Sequence, residues 1–323
     1  MLVVLVDHHR EEHTLAGRFA PSPTSDLHLG NLRTALVAWL LARATGRRFR
    51  LRIEDLDTLR VAAAGAVATR QQADLASIGL DVDGEVVWQS QRLHAYADAV
   101  AGLETYPCYC TRREIAEAAS APHGDGYRPY PGTCLRLSAS RRAELAASRR
   151  PALRVRAAGA SSTVTDLWAG EVTGVVDDFV VVRNDGVPAY NLAVVVDDLA
   201  MDVDQVCRGD DLLASSPRQA WLARRLGGTP PVYAHVPLAL NSSGARLAKR
   251  DGAVTLADLS AIGVSPAQVL TRIAVSLGLA EPGEAVTAAL LRERFDPSRL
   301  PRTPWVVDQP GQAAAWLNSR STT

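Results

Sequence analysis

Apolar and polar positions follow two different periods in the first part of the chain. Residues 15–20 form a short, mostly apolar stretch that ends at a proline, which is typical of a strand. Residues 49–53 alternate apolar side chains with arginines, the pattern of a second strand. Between them, apolar residues recur on one face of a helix: Leu32, Ala35, Leu36, Trp39 and Leu40. This order predicts a βαβ unit with a parallel sheet.

A second unit of the same kind follows later in the chain. Residues 203–208 have the composition of a strand, and Ser216 with Pro217 predicts the start of a helix that ends at Gly227. The other apolar stretches predict strands at 179–183 and 232–240, and helices at 61–104 and after 249. Together these elements predict an α/β protein.

Composition and charge exclude several classes of protein. The chain of 323 residues is 47% hydrophobic and 22% charged, which is ordinary for a globular protein with a large core. Its formal net charge is zero, so bulk charge gives no indication of a nucleic-acid partner. The chain lacks a run of about 18 apolar residues, and its opening segment turns polar too early for a secretory signal. We therefore expect a cytoplasmic protein without a membrane partner or an obligate protein partner.

Three of the four cysteines lie close together in a segment rich in Gly, Pro and Tyr. Cys108 and Cys110 are separated by one residue, and Cys134 follows 24 residues after Cys110. Clustered cysteines in a reducing compartment more often bind metal than form disulfides, and three thiolates favour zinc. Chemistry alone favours His123 as the fourth ligand. The alternative is three buried, reduced thiols, while Cys207 lies apart in a predicted strand of the core.

Two segments have the chemistry of a phosphate-binding site. His28, Gly30 and Asn31 stand where the first helix begins, and free backbone N–H groups there attract anions. Glycine in addition allows a close approach of the backbone to a ligand. Residues 246–250 carry three cations and could reach a triphosphate. Each segment alone has an ordinary structural alternative, which is a helix start without a ligand or a solvated surface turn.

Five blocks of the sequence resemble the glutamyl-tRNA synthetase family of class I enzymes. Residues 18–31 resemble the opening of that family with its HIGH signature, and residues 246–249 resemble its KMSKS loop. The other three blocks are residues 51–57, 190–198 and 208–211. Because the five blocks occur in the family order, they are much more specific together than any one of them. The resemblance implies a ligase with a Rossmann-like class I catalytic domain.

The end of the chain refines this resemblance. Thr323 comes too early for the helical anticodon-binding region of the glutamyl-tRNA synthetases, so we expect no such domain. The chain thus resembles the truncated paralogue family, the glutamyl-Q tRNA(Asp) synthetases, which attach glutamate to queuosine at the wobble position of tRNA(Asp). Its partners would be ATP with Mg²⁺, L-glutamate and tRNA(Asp) that carries queuosine. The resemblance assigns one structural zinc ion to Cys108, Cys110, Tyr130 and Cys134, with Tyr130 in place of His123.

The resemblance also implies which residues bind the substrates. The residues expected to bind glutamate are Arg18, Phe19, Ala20, Pro21, Ser22, Glu54, Tyr190 and Arg208. Those expected to bind ATP are His28, Gly30, Asn31 and Lys249, and His28 and Lys249 are expected to be catalytic. Arg18 and Arg208 suit the two carboxylates of glutamate because the arginine fork bonds carboxylates bidentately. Glu54 suits the ammonium group.

The resemblance divides the chain into five parts. They are an N-terminal extension (1–17), the first half of the catalytic domain (18–105), an insertion with the zinc site (106–195), the second half of the catalytic domain with the KMSKS-like loop (196–250), and a helical C-terminal region (251–323). The loop departs from the family signature at Arg246, where lysine is usual, and at Ala248, where serine is usual. Lys249 keeps the family residue, and Ala248 is expected to cost one phosphate hydrogen bond.

Two alternative functions stay open. One is a shortened glutamyl-tRNA synthetase that charges the 3′ end of tRNA(Glu), against which the chain length and the cysteines argue. The other is a non-catalytic tRNA-binding paralogue, against which His28, Glu54, Arg208 and Lys249 argue. The tRNA contact has the least support. Its candidates, which could equally be a sheet face or solvated helix charges, are Arg47, Arg48, Arg50, Arg52, Arg141, Arg142, Arg149 and Arg150.

Overall fold

The computed structural model describes residues 15–57, 61, 63–111, 113–115, 129–247 and 254–307. The strands among them are β1 (Ala16–Phe19), β2 (Arg48–Ile53), β3 (Val87–Trp88), β4 (Thr105–Cys108), β5 (Ala152–Val155), β6 (Ala160–Asp166), β7 (Gly170–Val176), β8 (Val180–Val182), β9 (Val203–Gly209), β10 (Val232–Val236), β11 (Ala239–Asn241) and β12 (Trp305–Val307). The α-helices are α1 (Leu29–Ala44), α2 (Ala64–Ser77), α3 (Leu93–Ala101), α4 (Ala139–Ser148), α5 (Tyr190–Ala200), α6 (Ser216–Arg225), α7 (Leu256–Ala261), α8 (Pro266–Ser276) and α9 (Ala288–Arg294).

The largest sheet of the described residues has the strand order β3-β2-β1-β9-β10-β6-β7. Neighbouring strands from β3 to β6 run parallel, and β7 alone pairs antiparallel, with β6. Because β1 and β9 are parallel neighbours, their carboxyl ends lie at the same edge of the sheet. Open parallel sheets bind their ligands at that edge.

Helices cover both faces of this sheet. Val206 and Cys207 are neighbours on β9 and point to opposite faces, and they belong to different hydrophobic clusters. The cluster of Cys207 includes α1 together with α8 and α9, whereas Val206 packs with Ala220 of α6. Burial on both faces is the usual state of a parallel sheet, and it confirms the α/β class that the sequence predicts.

Two smaller sheets complete the fold. Antiparallel strands β4, β5 and β8 form one of them, and β4 leads directly into the segment that holds Cys108 and Cys110. Parallel strands β11 and β12 form the other, so the last described strand returns to the segment before Arg246. Helices α7 to α9 lie between these two strands in the chain. No helix among the described residues is both long and apolar enough to cross a membrane.

Several predicted elements differ from the observed ones. The predicted helical stretch 61–104 contains β3 between α2 and α3, and the predicted strand 232–240 is divided into β10 and β11. Pro237 lies at that break, because it lacks the N–H that would continue the ladder. The N-cap of α6 is Ser215 and not Ser216, so Pro217 takes the second helical position and not the predicted first one.

Strands β6 and β7 were not predicted at all. They lie within residues 106–195, the range expected for the insertion, but they extend the main sheet through β10. Similarly, β12 lies in the expected helical C-terminal region. The five-part division of the chain therefore stays a prediction, and residues 1–14 of the expected extension lie outside the described residues.

Candidate active site

A cleft of about 210 Å³ opens at the carboxyl ends of β1 and β9, beside the N-terminus of α1. The cleft brings together most of the residues that the sequence predicts for the substrates. These are Arg18, Phe19, Ala20, Pro21, Ser22, His28, Gly30, Asn31 and Arg208. The βαβ unit explains this arrangement, because the turn after β1 and the start of α1 both follow the same strand end.

Arg18, at the end of β1, is held by a carboxylate behind the cleft. Its Nε and Nη2 lie 3.2 and 3.5 Å from the two carboxylate oxygens of Asp198 on α5. Nη1 of Arg52 donates to the same carboxylate at 2.6 Å. Burial alone would raise the pKa of Asp198, but Arg18 and Arg52 together lower it below its ordinary value. Asp198 is therefore ionised and fixes the guanidinium of Arg18.

Arg52 is the centre of this buried network. Its side chain is 0% exposed, and Nη2 lies 3.3 Å from Oε1 of Glu54. Its Nε lies 3.7 Å from Asp197, which also accepts hydrogen bonds from Gln89, Arg92 and Tyr96. The interpretation of Arg52 as a possible tRNA contact is thus wrong. The alternation of β2 could not reveal its role, because two of its three acidic partners, Asp197 and Asp198, lie on α5, far away in the sequence.

Glu54 and Tyr190 lie near the two arginines although neither lines the cleft itself. Burial raises the pKa of Glu54, and Arg52 and Arg18 oppose that shift only in part. Tyr190 is 41% exposed, and the charges of Arg208, Glu54 and Arg18 act on its hydroxyl. An ammonium group beside Glu54 would restore the ordinary acidity of that carboxyl.

Arg208, at the end of β9, has partners of a different kind. It is buried, and its Nε donates to Nε2 of His235 at 3.0 Å while Nη1 donates to Oε1 of Gln219 at 2.7 Å. Nη2 donates to Oγ of Ser216 at 2.8 Å and to the carbonyl of Leu212 at 3.3 Å. Sequence reasoning missed Gln219 and His235 because they lie on α6 and β10, outside the family blocks.

The start of α1 contributes His28, Gly30 and Asn31 to the lining of the cleft. Nδ1 of His28 accepts the N–H of Asn31 at 3.2 Å, and Oδ1 of Asn31 accepts the N–H of His28 at 3.2 Å. This reciprocal cap leaves Nε2 of His28 to carry the imidazole proton. Burial, and secondly the charge of Arg246, lower the pKa of His28 to about 4. His28 is therefore neutral at pH 7 and can donate one hydrogen bond to a phosphate oxygen.

Gly30 allows the chain to pass close to its neighbours at this helix start. A Cβ at this position would lie 3.0 Å from the Cβ of Ala239 and 3.0 Å from Cε1 of His28. Any side chain would therefore push α1 away from β11 or displace the imidazole of His28. The glycine is required by packing here, whether or not a ligand is bound.

The basic loop is described only in part. Arg246 lines the cleft and forms an ion pair with Asp211, so it spans the side of the cleft between β9 and the loop. Leu247 is buried in the main core cluster, which fixes the start of the loop. Ala248, Lys249 and Arg250 lie outside the described residues, and the roles predicted for them stay predictions.

The predicted metal ligands meet at the end of β4. The sulfur atoms of Cys108, Cys110 and Cys134 all lie within 4.8 Å of one another, and those of Cys110 and Cys134 are 3.4 Å apart. The hydroxyl of Tyr130 lies 3.5 Å from Sγ of Cys108 and 3.8 Å from Sγ of Cys110. The cysteine cluster, meaning these four residues, therefore offers three sulfurs and one oxygen around one point. His123 lies outside the described residues.

These distances fit a tetrahedral metal ion. Zn–S bonds of about 2.3 Å place the sulfurs of a tetrahedron about 3.8 Å apart. The observed separations lie around this value, and the thiol donors are of the soft type that zinc accepts. Without a cation, burial raises the pKa of Cys110 to about 12. The cluster can thus hold a metal ion, whereas Cys207 is a buried thiol of the core, as predicted.

Most of the arginines considered for tRNA contact have acidic partners. Arg47 forms two hydrogen bonds of 2.7 and 2.6 Å to Asp204, and Arg48 forms an ion pair with Asp202. Arg141 pairs with Glu144, and Arg149 pairs with Glu114. Exposed pairs of this kind exchange partners at little cost, so the pairing alone excludes none of them from a nucleic-acid surface.

Comparison with known proteins identifies the class to which this fold and cleft belong. The model of the catalytic domain of class I tRNA synthetases of the E and Q types matches residues 14–310. The chain therefore belongs to this family.

The names of individual relatives are more specific than the description of the family. A protein of Nocardia farcinica named glutamyl-Q tRNA(Asp) synthetase is 58% identical to this chain over 302 residues, which are 92% of this chain and 94% of that protein. A protein of Symbiobacterium thermophilum with the same name is 48% identical over 94% of this chain and 98% of its own length. Among solved structures, a glutamate tRNA ligase of Elizabethkingia meningosepticum in complex with its amino acid is 25% identical, with a TM-score of 0.75. That match covers 94% of this chain and 69% of the other.

Proposed function

We propose that this protein activates L-glutamate with ATP and transfers the glutamate to queuosine at the wobble position of tRNA(Asp). Relatives named glutamyl-Q tRNA(Asp) synthetase match the chain over nearly their whole length and support this activity. The observation that carries the proposal is the cleft, whose lining includes Arg18 and Arg208 together with His28 at the start of α1. The two arginines suit the two carboxylates of glutamate, and the N-terminus of α1 suits the phosphates of ATP.

The amino acid would occupy the side of the cleft with the arginines. Arg18 and Arg208 would each hold one carboxylate of glutamate, and the fixed positions of both side chains limit the entropy lost on binding. Glu54 would face the ammonium group, with Ser22 and Tyr190 as neutral partners. Phe19, Ala20 and Pro21 would supply the backbone that lines the pocket between β1 and α1. Aspartate is too short to reach both arginines and should be a poor substrate.

ATP would occupy the side of the cleft formed by α1. An oxygen of the α-carboxylate attacks the α-phosphorus of ATP, a C–O–P bond forms, the bond to the bridging oxygen breaks, and pyrophosphate leaves. Nε2–H of His28 would donate to a phosphate oxygen, and Gly30 would present the backbone of the helix start. Asn31 would act through the cap that fixes the imidazole, because its own N–H already donates to Nδ1 of His28. Lys249 would stabilise the charge that develops on the phosphates. Mg²⁺ would arrive with ATP and offset the phosphate charge.

The cysteine cluster would hold one structural zinc ion. Cys108, Cys110, Cys134 and Tyr130 supply a closed set of four donors, and such a set leaves no position for a reacting ligand. The ion would connect the end of β4 to the 3₁₀ turn at Thr133–Arg136. Its contribution would therefore be to order this segment and not to take part in adenylation.

The test uses labelled glutamate, ATP and unfractionated tRNA. After transfer, the tRNA is digested to nucleosides, and we expect the label on queuosine from tRNA(Asp). A matched reaction with tRNA from a source that lacks queuosine should give no labelled product. Label at the 3′ end of tRNA(Glu) would instead support a shortened glutamyl-tRNA synthetase. Binding of tRNA without any glutamate-dependent exchange of pyrophosphate into ATP would support a non-catalytic paralogue.

A further inference from the structure

Arg208 differs from the other cations around the cleft in the charge of its partners. Arg18 pairs with Asp198, and Arg52 pairs with Asp198 and Glu54. Among the described residues, every hydrogen-bond acceptor of Arg208 is uncharged: Leu212, Ser216, Gln219 and His235. The ring of Tyr233, 5.2 Å from the guanidinium, adds another neutral contact. In the part of the chain that the structure describes, no carboxylate therefore pairs with Arg208, and Asp211, which lines the same cleft, pairs with Arg246 instead.

The protonation state of His235 follows from its contacts. Nε2 lies 3.0 Å from Nε of Arg208, which is always a donor, so Nε2 must accept. Nδ1 lies 2.6 Å from Oδ2 of Asp166, so Nδ1 carries the proton and donates. Asp166 also accepts the backbone N–H groups of Trp168, Ala169 and His235, which fixes the carboxylate. The imidazole is therefore neutral and has one defined tautomer.

The geometry leaves part of Arg208 available to a ligand. A guanidinium has five N–H groups, and the four hydrogen bonds use one at Nε, one at Nη1 and two at Nη2. One N–H of Nη1 has no acceptor among the described residues. Arg208 also lines the cleft although it is buried, so its guanidinium is within reach of a ligand in the cleft.

We propose that Ser216, Gln219 and His235 form a neutral cage that orients Arg208 while leaving its charge for a carboxylate of the substrate. In this cage His235 is a positioning residue, and Asp166 determines which of its nitrogens accepts. A carboxylate in the cage would neutralise Arg208 and weaken the preference for an anionic ligand. This inference rests on the proposed function, because it takes the ligand of Arg208 to be glutamate.

The charge of the cage is tested with two substitutions of one residue. Gln219→Glu keeps an oxygen acceptor for Nη1 of Arg208 but adds a negative charge, whereas Gln219→Met removes the acceptor and stays neutral. In glutamate-dependent pyrophosphate exchange, we expect Gln219→Glu to raise the KM for glutamate ~30-fold or more and Gln219→Met ~3–10-fold. The kcat and the KM for ATP should change less than about 3-fold in both variants, because the lost binding is equal in ground and transition states.

The orientation of Arg208 is tested at His235. His235→Gln can place an oxygen near the position of Nε2 and keep the acceptor for Arg208, whereas His235→Asn can keep only the donor to Asp166. We expect His235→Asn to raise the KM for glutamate ~10–100-fold and His235→Gln to recover most of that loss. Thermal unfolding of both variants shows whether each is folded. If the His235 variants do not fold, the comparison of Gln219→Glu with Gln219→Met decides whether the neutral cage exists.

The outcomes separate this inference from the proposed function. If wild-type protein shows no glutamate-dependent exchange, the proposed function fails. If the wild type is active and Gln219→Glu binds glutamate no worse than Gln219→Met, the neutral cage is wrong while the proposed function stands. Equal losses in His235→Asn and His235→Gln, with unchanged thermal stability, would likewise remove the positioning role of His235.

Discussion

The cleft and the cysteine cluster are both built from polar groups, but they differ in what holds those groups in place. In the cleft, each important side chain is fixed by another protein group: Arg18 by Asp198, Arg208 by its neutral cage, and His28 by the cap with Asn31. In the cysteine cluster, the sulfurs of Cys110 and Cys134 approach to 3.4 Å, an arrangement that a cation would stabilise.

Because different contacts hold the two regions in place, we expect them to respond differently to substitution and to metal removal. A preorganised cleft should lose function sharply when one charged group is replaced, because its partners stay behind with unsatisfied hydrogen bonds. A metal-dependent cluster should lose local order when the metal is removed and leave distant chemistry largely intact.

Arg208→Lys should have the largest effect on glutamate activation. Lysine keeps the charge but lacks the planar fork, so Ser216, Gln219 and His235 lose their donors and the ligand loses a directed hydrogen bond. We expect kcat/KM for glutamate to fall by ~10³ or more, since each lost charged hydrogen bond costs about 1.5–3 kcal/mol. Pyrophosphate exchange measures this loss. A fall below about tenfold would show that Arg208 does not bind glutamate.

Lys249→Ala should reduce the rate of adenylation by ~10²–10³, the usual cost of removing one group that stabilises the transition state. The KM for glutamate should change little, because the residues expected to bind glutamate include Arg18 and Arg208 but not Lys249. Arg250→Ala is the matched control and should have a much smaller effect, because the family does not use its position. Equal, mild losses in both variants would show that the loop acts only as a diffuse basic surface, without the role assigned to Lys249.

The hydrophobic periods could predict those parts of the fold in which neighbours in the sequence are also neighbours in space. The unit β1-α1-β2 is of this kind, and its helix face and alternating strand were visible in the sequence. Strands β6 and β7 pair with each other and are close in the sequence, but their Ser, Thr and Gly residues hide the apolar alternation of a strand. The pairing of β11 with β12 was not predicted because the two strands lie far apart in the sequence.

The site could be predicted only where a motif carried it. Arg18, His28 and Arg208 lie in family blocks, and the structure brings them into one cleft. Asp198 lies in a block too, but its contact with Arg52 depends on how α5 packs against β2. His235 and Gln219 belong to no block, and their role follows from three elements that meet only in the folded chain.

Loss of the metal should affect the cysteine cluster much more than the cleft. We expect about one zinc ion per chain, and Cys134→Ala should remove it and lower the Tm. Glutamate-dependent exchange should stay within about 3-fold, since no element of the cleft contains a ligand of the cluster. Cys207→Ala is the control for zinc content, which it should not change. A metal-free, stable and active wild-type protein would refute the zinc site.

The smallest effect concerns the loss of stability in acid that burial of His28 causes. The pKa of His28 is lowered from 6.5 to about 4 by burial and by Arg246, so between these pH values the unfolded chain binds a proton that the folded chain excludes. As far as the titration of His28 is concerned, stability is therefore complete above pH 6.5 and falls as the pH drops toward 4, by at most about 1.4 kcal/mol per pH unit for this one proton.

The substitution His28→Asn tests this expectation, because asparagine keeps an N-cap acceptor for Asn31 but cannot titrate. Urea unfolding of both proteins at pH 7 and pH 5 should show the smaller loss in the variant. Because the cysteine cluster is identical in both, its own response to acid cancels in the difference. Parallel losses in the two proteins would mean that His28 is not held neutral by the fold, and its assignment as a hydrogen-bond donor to phosphate through Nε2 would lose its basis.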